Sequence, residues 1–277
     1  MNHQEGSFIG AEGIELYYQS WSPDSEPKAF VAIVHGVGEH GGRYAHVVDA
    51  LPPAGYALYA FDQRGHGRSP GRRVHIDSWT QYREDLRAFL RMVARQADGK
   101  PVVVYGHSMG ALVVLDYLLE RPAGLAGAIV SGSPIEPAGV ASPQLIAVAR
   151  VLSGIVPRMH VKLGLDVNGL SRDPQVVAEY VADPLVTAGA TARWGTESLA
   201  TVERIKARMS AIDLPILILH GGADPLNTAD GARALFDAVA SADKTLKLYA
   251  DGLHEPHNDL QHDEVVADIL AWLQTRT

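Results

Sequence analysis

The sequence predicts an α/β fold, a mostly parallel sheet flanked by helices and interrupted by a helical insertion. Three observations carry this. Short apolar runs recur between helical patterns along most of the chain. The segment Gly106-His107-Ser108-Met109-Gly110 joins one such run to one such pattern. The alternation then lapses between about Pro134 and Ala211, where no strand-like run appears. Strands alternating with helices indicate βαβ units, whose crossovers are right-handed.

Taken in order, Ile14 to Ser20 alternates and reads as an edge strand. Phe30 to Val34, Tyr56 to Phe61, Val102 to Tyr105, Gly127 to Val130, Ile216 to Leu219 and Thr245 to Tyr249 read as further strands. Helical patterns run over Tyr44 to Leu51, Trp79 to Gln96, Ala111 to Glu120, Ala229 to Ala240 and Asp263 to Gln274. Within the interruption, Pro134, Pro137 and Pro143 precede a helix-like stretch with Leu145, Val148, Ala149, Leu152, Ile155 and Val156 on one face. A polar loop from Arg158 to Asp173 and helical patterns over Pro174 to Val181 and Ala190 to Arg208 follow. The expected division is a core of residues 1–133 and 212–277, split by a cap insertion of residues 134–211. The apolar face of the first cap helix has two readings. It packs on the core, or it lines an acyl pocket and touches a lipid surface.

The chain has 277 residues, 47% of them hydrophobic, enough for one large domain with an insertion. Its net charge of -8, from 24 basic and 32 acidic residues, argues against a nucleic-acid partner. Arg64, Arg68, Arg72 and Arg73 form a local basic cluster that reads as a solvated loop. With no cysteine, disulfides, thiol nucleophiles and thiolate metal sites are excluded. Met1 to Ser7 has neither a basic n-region nor an apolar h-region, and no apolar run is long enough to span a bilayer. A cytoplasmic protein is the expectation. Oligomeric state stays open.

Gly106 to Gly110 reads G-x-S-x-G between a β-branched strand and an apolar helix. That context marks a strained turn presenting a nucleophilic serine. A serine hydroxyl needs a base near neutral pKa, and the imidazole needs a carboxylate to fix its tautomer. On this scaffold the chain order is Ser, acid, His, so both partners of Ser108 follow it. Asp224 ends the strand Ile216 to Leu219 and its Gly-rich turn. Asp213 lies at the wrong end of that strand, and Asp251 sits close to the histidine loop. The competing role for Asp224 is a helix N-cap. His254 follows the last strand and is the expected base, with His257 and His262 nearby. His254 and His257 lack the i,i+4 spacing of H-E-x-x-H, and Pro256 disfavours a helix between them, so neither a metal nor a cofactor is expected. The backbone N–H groups of Val37 and Met109 are the candidate oxyanion donors. His107 reads as support for the turn, and His35 and His66 as structural.

The segment His35-Gly36-Val37-Gly38-Glu39-His40-Gly41-Gly42-Arg43-Tyr44 resembles the H-G-x-G-E-H-x-x-R-Y segment of monoacylglycerol lipases. Phe61 to Ser69 resembles their D-x-x-G-H-G-x-S loop, and Gly106 to Gly110 matches their G-H-S-M-G. Tyr180 to Val186, with Asp183-Pro184-Leu185, is similar to a cap segment there, and Gly222 to Leu253 to the acid-to-histidine stretch. The likeness spans nearly the whole chain. It implies the α/β-hydrolase fold, a helical cap over an apolar acyl tunnel, and a triad of Ser108, Asp224 and His254 with Val37 and Met109 as oxyanion donors. It places Glu39, Arg43 and Glu255 near the polar end of the pocket, where glycerol would be held. A structural Glu39–Arg43 salt bridge is the equal alternative. Val161 to Gly169, and Ala111 where many relatives carry glycine, depart from the pattern and leave chain-length preference open.

The implied chemistry is hydrolysis of a monoacylglycerol to fatty acid and glycerol through an acyl-enzyme on Ser108. Leu145, Leu152 and Ile155 are the expected acyl contacts. Burying each CH₂ contributes about 0.8 kcal/mol, so ten carbons offer roughly 8 kcal/mol at most. Transient cap contact with a lipid surface follows from the same reading. The alternatives are a carboxylesterase or lysophospholipase of different acyl preference, and a hydrolase-like small-molecule receptor. Ser108 counts against a haloalkane dehalogenase, which carries aspartate at this turn.

Overall fold

The computed structural model describes residues 1–137, 143–162 and 164–277, and for residues 143–148 the backbone alone. Eight strands form the main sheet: β1 (Asn2–Ile9), β2 (Glu15–Ser22), β3 (Ala29–Val34), β4 (Tyr56–Phe61), β5 (Val102–His107), β6 (Gly127–Ser131), β9 (Ile216–Gly221) and β10 (Lys244–Tyr249). A two-residue antiparallel ladder pairs β7 (His160–Val161) with β8 (Ala190–Thr191) inside the expected insertion, where the sequence shows no strand. The main sheet runs in the order β1-β2-β4-β3-β5-β6-β9-β10. Strands β4 to β10 in that order are parallel, and β1 and β2 add antiparallel to one edge.

The edge strand is therefore β1, and Ile14 to Ser20 lies one place inside it, contrary to expectation. The reason is chemical. Strand β1 buries Phe8 and leaves most other side chains in solvent, so it carries no apolar periodicity to find. It is held by an eight-residue ladder to β2 instead.

The central strands are buried on both faces, hence their unbroken apolar runs. In β3, Phe30, Ala32 and Val34 join one core, and Ala29, Val31 and Ile33 the other. The first core holds α2 (Thr80–Ala97), α3 (Met109–Leu118) and α7 (Ala229–Ala238) against the sheet. The second holds α1 (Ala45–Ala50) and α8 (His262–Gln274) on the opposite face.

Between β6 and β9 the described chain adds no strand to the main sheet and forms α4 (Pro143–Ile155), α5 (Pro174–Ala182) and α6 (Ala192–Lys206). Pro174 opens α5 with Asp173 capping Gln175 N–H at 2.8 Å, and Thr191 caps α6. Arg204 of α6 reaches the buried Asp116 of α3 at 2.6 Å, which ties this region to the core. No helix among the described residues is long and apolar enough to cross a membrane. Arg64, expected in a solvated loop, is buried instead. Its guanidinium bonds Asp85 at 2.6 and 2.8 Å, because a charge removed from water must be paired.

Candidate active site

The chain passes from β3 to β4 on one side and from β5 to β6 on the other, so strand order switches sides between the parallel neighbours β3 and β5. Open α/β sheets bind ligands at such a point, beyond the carboxyl ends of the strands. The loop His35–Gly38 leaves β3 there, and Ser108 leaves β5.

Ser108 has φ 52° and ψ -119°, a left-handed conformation costly for a residue with a Cβ. Its surroundings hold it there. A Cβ on Gly106 would strike the Gly110 carbonyl, and one on Gly110 the Val34 carbonyl, so strand and helix approach too closely for any other residue. The Ser108 N–H donates to Ser131 O at 2.9 Å.

Ser108, His254 and Asp224 converge from three loops. The His254 Nδ1–H donates to Asp224 Oδ2 at 2.8 Å, which leaves Nε2 free to accept from Ser108 Oγ–H at 2.9 Å. The other oxygen, Asp224 Oδ1, accepts from the Leu226 and Asn227 N–H groups at 2.8 and 3.0 Å. The two roles weighed for Asp224, turn cap and imidazole partner, thus coexist on separate oxygens. His220 adds a contact to Oδ2 at 3.3 Å. The histidine loop is itself pinned, with His254 N–H on Gly169 O and Glu255 N–H on Leu170 O. Burial disfavours the His254 cation, but the adjacent Asp224 carboxylate outweighs it and raises the imidazole above its ordinary pKa. Burial likewise opposes the Asp224 anion, yet His254, His220 and the Asn227 N–H together hold it well below the usual carboxylate range.

The Val37 and Met109 N–H groups have no acceptor among the described residues, and both residues line one cavity with Ser108. That cavity holds about 330 Å³. Leu112, Leu170, Trp194, Leu199 and Val202 form much of its apolar wall, and Glu39 and Glu255 lie on its polar side.

Arg43 stands behind the cavity wall, with Nη1 and Nη2 on Glu255 at 2.7 and 3.0 Å and Nη1 on Glu39 at 3.1 Å. The Tyr180 ring covers its guanidinium at 4.6 Å. The Glu39–Arg43 salt bridge is present, and Arg43 is not among the residues that line the cavity. Ile155 is 74% exposed and does not line the cavity, and neither does Leu152. The side chain of Leu145 lies outside the described residues. Among the described residues α6 adds Trp194, Ser198, Leu199 and Val202, at helical spacing in the sequence, to the wall, and α4 adds Ala149. Asp251 is exposed, and Asp213 precedes β9 at the far end of the sheet. His257 is buried and stacks on Tyr44 at 4.7 Å, and His262 opens α8. His107 bonds Ser131 Oγ at 2.8 Å behind the turn. No cluster of metal-ligating side chains occurs among the described residues.

This geometry has relatives. A family model described as serine aminopeptidase, S33, matches residues 25–261. The monoacylglycerol lipase of Mycolicibacterium smegmatis is 38% identical over 97% of this chain and 96% of its own length. The monoglyceride lipase of Homo sapiens is 32% identical over 97% of this chain and 90% of its own. The crystal structure of Paleococcus ferrophilus monoacylglycerol lipase superposes with a TM-score of 0.86 at 32% identity, covering 95% of this chain and all of that one. With its serine on a strained strand-to-helix turn, bonded to an imidazole beside an apolar cavity, the chain belongs to their family, the monoacylglycerol lipases among the serine hydrolases of α/β-hydrolase fold.

Proposed function

We propose that Ser108, His254 and Asp224 form the catalytic triad of an enzyme that hydrolyses monoacylglycerols. Ser108 Oγ attacks the ester carbonyl as His254 Nε2 takes its proton. The Val37 and Met109 N–H groups receive the oxyanion. The tetrahedral intermediate collapses, glycerol leaves with the proton from His254, and water then releases the fatty acid by the same steps. The observation that carries this is the continuous Ser108–His254–Asp224 contact, at 2.9 and 2.8 Å, on the wall of a mostly apolar cavity.

The same cavity argues against peptide hydrolysis from a free amino terminus. That reaction needs a carboxylate to bind the substrate ammonium, and Glu39 and Glu255 are both paired with Arg43. We read residues 134–211 as a cap that covers the acyl chain. Val151, Ile155, Val156, Val161 and Val181 expose apolar side chains on it, which supports transient contact with a lipid surface. The enzyme is read as cytoplasmic, which cell fractionation checks.

Fluorophosphonate labelling of Ser108, followed by kcat/KM for monoacylglycerols of increasing chain length, tests this proposal. Labelling with efficiency rising along the series is expected. A flat or falling series would leave an esterase of short acyl preference, and tight ligand binding without labelling would leave a receptor.

A further inference from the structure

The three groups Glu39, Arg43 and Glu255 sit beside the triad without touching it. Gly36 is the residue just before the Val37 N–H. A Cβ on Gly36 would fall 2.8 Å from Glu39 Oε1 and 3.2 Å from Ser108 Cβ, so any side chain there would crowd the Glu39 carboxylate. Glycine restrains its own backbone least of all residues. The orientation of the peptide it begins must therefore be imposed from outside.

One bond falls on that peptide and a second anchors Gly36 from the peptide before it. The His35 Nδ1–H donates to Gly36 O at 2.7 Å, on the same peptide that carries the Val37 N–H. The Gln63 N–H donates to His35 Nε2 at 2.9 Å and so fixes that tautomer. On the preceding peptide, the Gly36 N–H donates to Glu39 Oε1 at 2.5 Å, which holds the residue from which the Val37 peptide departs. Glu39 is in turn held by Tyr44 Oη–H at 3.2 Å and Arg43 Nη1 at 3.1 Å. Arg43 is clamped by Glu255, the neighbour of His254, and Asn258 Nδ2 bonds both Glu255 Oε2 and Arg43 O. Two carboxylates are thus buried against one guanidinium, an arrangement that stability alone does not favour.

We propose that Glu39 is a positioning residue of the oxyanion hole, aligning the Val37 N–H through the Gly36 backbone rather than binding glycerol. Both of its carboxylate oxygens are engaged by protein donors. Arg43 and Glu255 form the frame that keeps the carboxylate in place, so one ion-paired chain joins the oxyanion loop to the histidine loop. This rests on Val37 acting as an oxyanion donor in the mechanism above.

The variants Glu39→Gln and Glu39→Asp separate reach from charge. Gln keeps an oxygen at the distance of Oε1 and loses the charge opposite Arg43. Asp keeps the charge and withdraws the oxygen by one methylene. Each is assayed on a long-chain monoacylglycerol and on p-nitrophenyl butyrate, which carries no glycerol, with Tm measured alongside. Expected is a kcat loss of about a hundredfold for Asp on both esters with KM little changed, since small misplacements of catalytic groups cost that much. Gln should stay within about tenfold of the parent in kcat while losing Tm. The reverse ranking, Asp active and Gln not, would overturn the proposal in favour of a plain ion pair. A loss confined to KM for the monoacylglycerol would overturn it in favour of glycerol binding. Should the parent enzyme cleave only p-nitrophenyl butyrate, the substrate assignment fails while the Gln and Asp comparison still decides the role of Glu39.

Discussion

Replacing Asp224 with asparagine changes one atom and should nearly silence the site. The Oδ1 bonds to Leu226 and Asn227 survive, so the turn after β9 stays folded. Oδ2 becomes an NH₂ group that faces His254 Nδ1 across 2.8 Å. Two donors cannot face each other, so the imidazole carries its proton on Nε2 instead. Ser108 Oγ then meets an N–H at 2.9 Å where it needs a lone pair. Flipping the amide would set its NH₂ against two backbone N–H groups, forfeiting two bonds worth about 1 kcal/mol each. The same exchange in a serine protease triad lowers kcat about 10⁴-fold, roughly 5 kcal/mol of transition-state stabilisation. The assay is kcat/KM on p-nitrophenyl butyrate from pH 5 to 9, with Tm as the control for folding. In the parent, His254 must be neutral to accept a proton and its pKa is raised, so activity falls on the acid side through a value above the ordinary imidazole one. A loss smaller than about tenfold at unchanged Tm would refute the reasoning and turn attention to Asp251.

Ser108→Gly should abolish hydrolysis and raise stability by about 1 kcal/mol, because glycine relieves the positive φ; unfolding in urea measures it, and an unchanged midpoint would mean that the turn stores no strain. Leu199→Trp should shorten the acyl cavity. If four methylenes are excluded, long-chain monoacylglycerols lose about 3 kcal/mol, roughly two-hundredfold in kcat/KM, while acetyl esters are spared; equal losses on both would sink the acyl-wall assignment. His35, His66 and His257 are each pushed down to about 3 by burial and stay neutral in the fold. The unfolded chain binds protons at these sites from about pH 6.5 downward, so stability is full above that pH and is lost as pH falls toward 3, by up to about 1.4 kcal/mol per histidine per pH unit. Urea midpoints that stay flat between pH 7 and pH 5 would contradict this.

The core was legible because its strands are buried on both faces. Val102 to Tyr105 and Ile216 to Leu219 had to be continuous apolar runs, and they end where the reactive side chains begin. β1 was not legible, since an edge strand held by backbone ladders needs little apolar pattern. Ser108 and His254 were readable from turn chemistry and chain order. The division of labour between the oxygens of Asp224 was not, because both roles demand the same residue. Acyl contacts were expected on α4, and among the described residues the cavity beside Ser108 draws one side chain from α4 and several from α6. An amphipathic stripe reads the same whether it faces a core or a cavity, so Leu152 and Ile155 looked equivalent to Trp194 and Val202. Arg64 misled for a similar reason, as its partner Asp85 is 21 positions away and leaves no local signature.

The two halves of the proposed oxyanion hole are placed by strand register. Val34 pairs with Gly106, so the chain leaves β3 and β5 at the same level of the sheet. Two residues beyond Gly106 comes Ser108, and three beyond Val34 comes Val37. The β3–β5 register is fixed because each strand divides its side chains between two cores, and a one-residue slip would exchange every one of them between the faces. Gly110 lets α3 approach the Val34 carbonyl, which brings the Met109 N–H down to that level as well. What register cannot set is the rotation of the Gly36–Val37 peptide, since its own residue is glycine. That rotation is left to side chains: His35 is bonded to the carbonyl of that peptide, and Glu39 to the N–H of the peptide just before it.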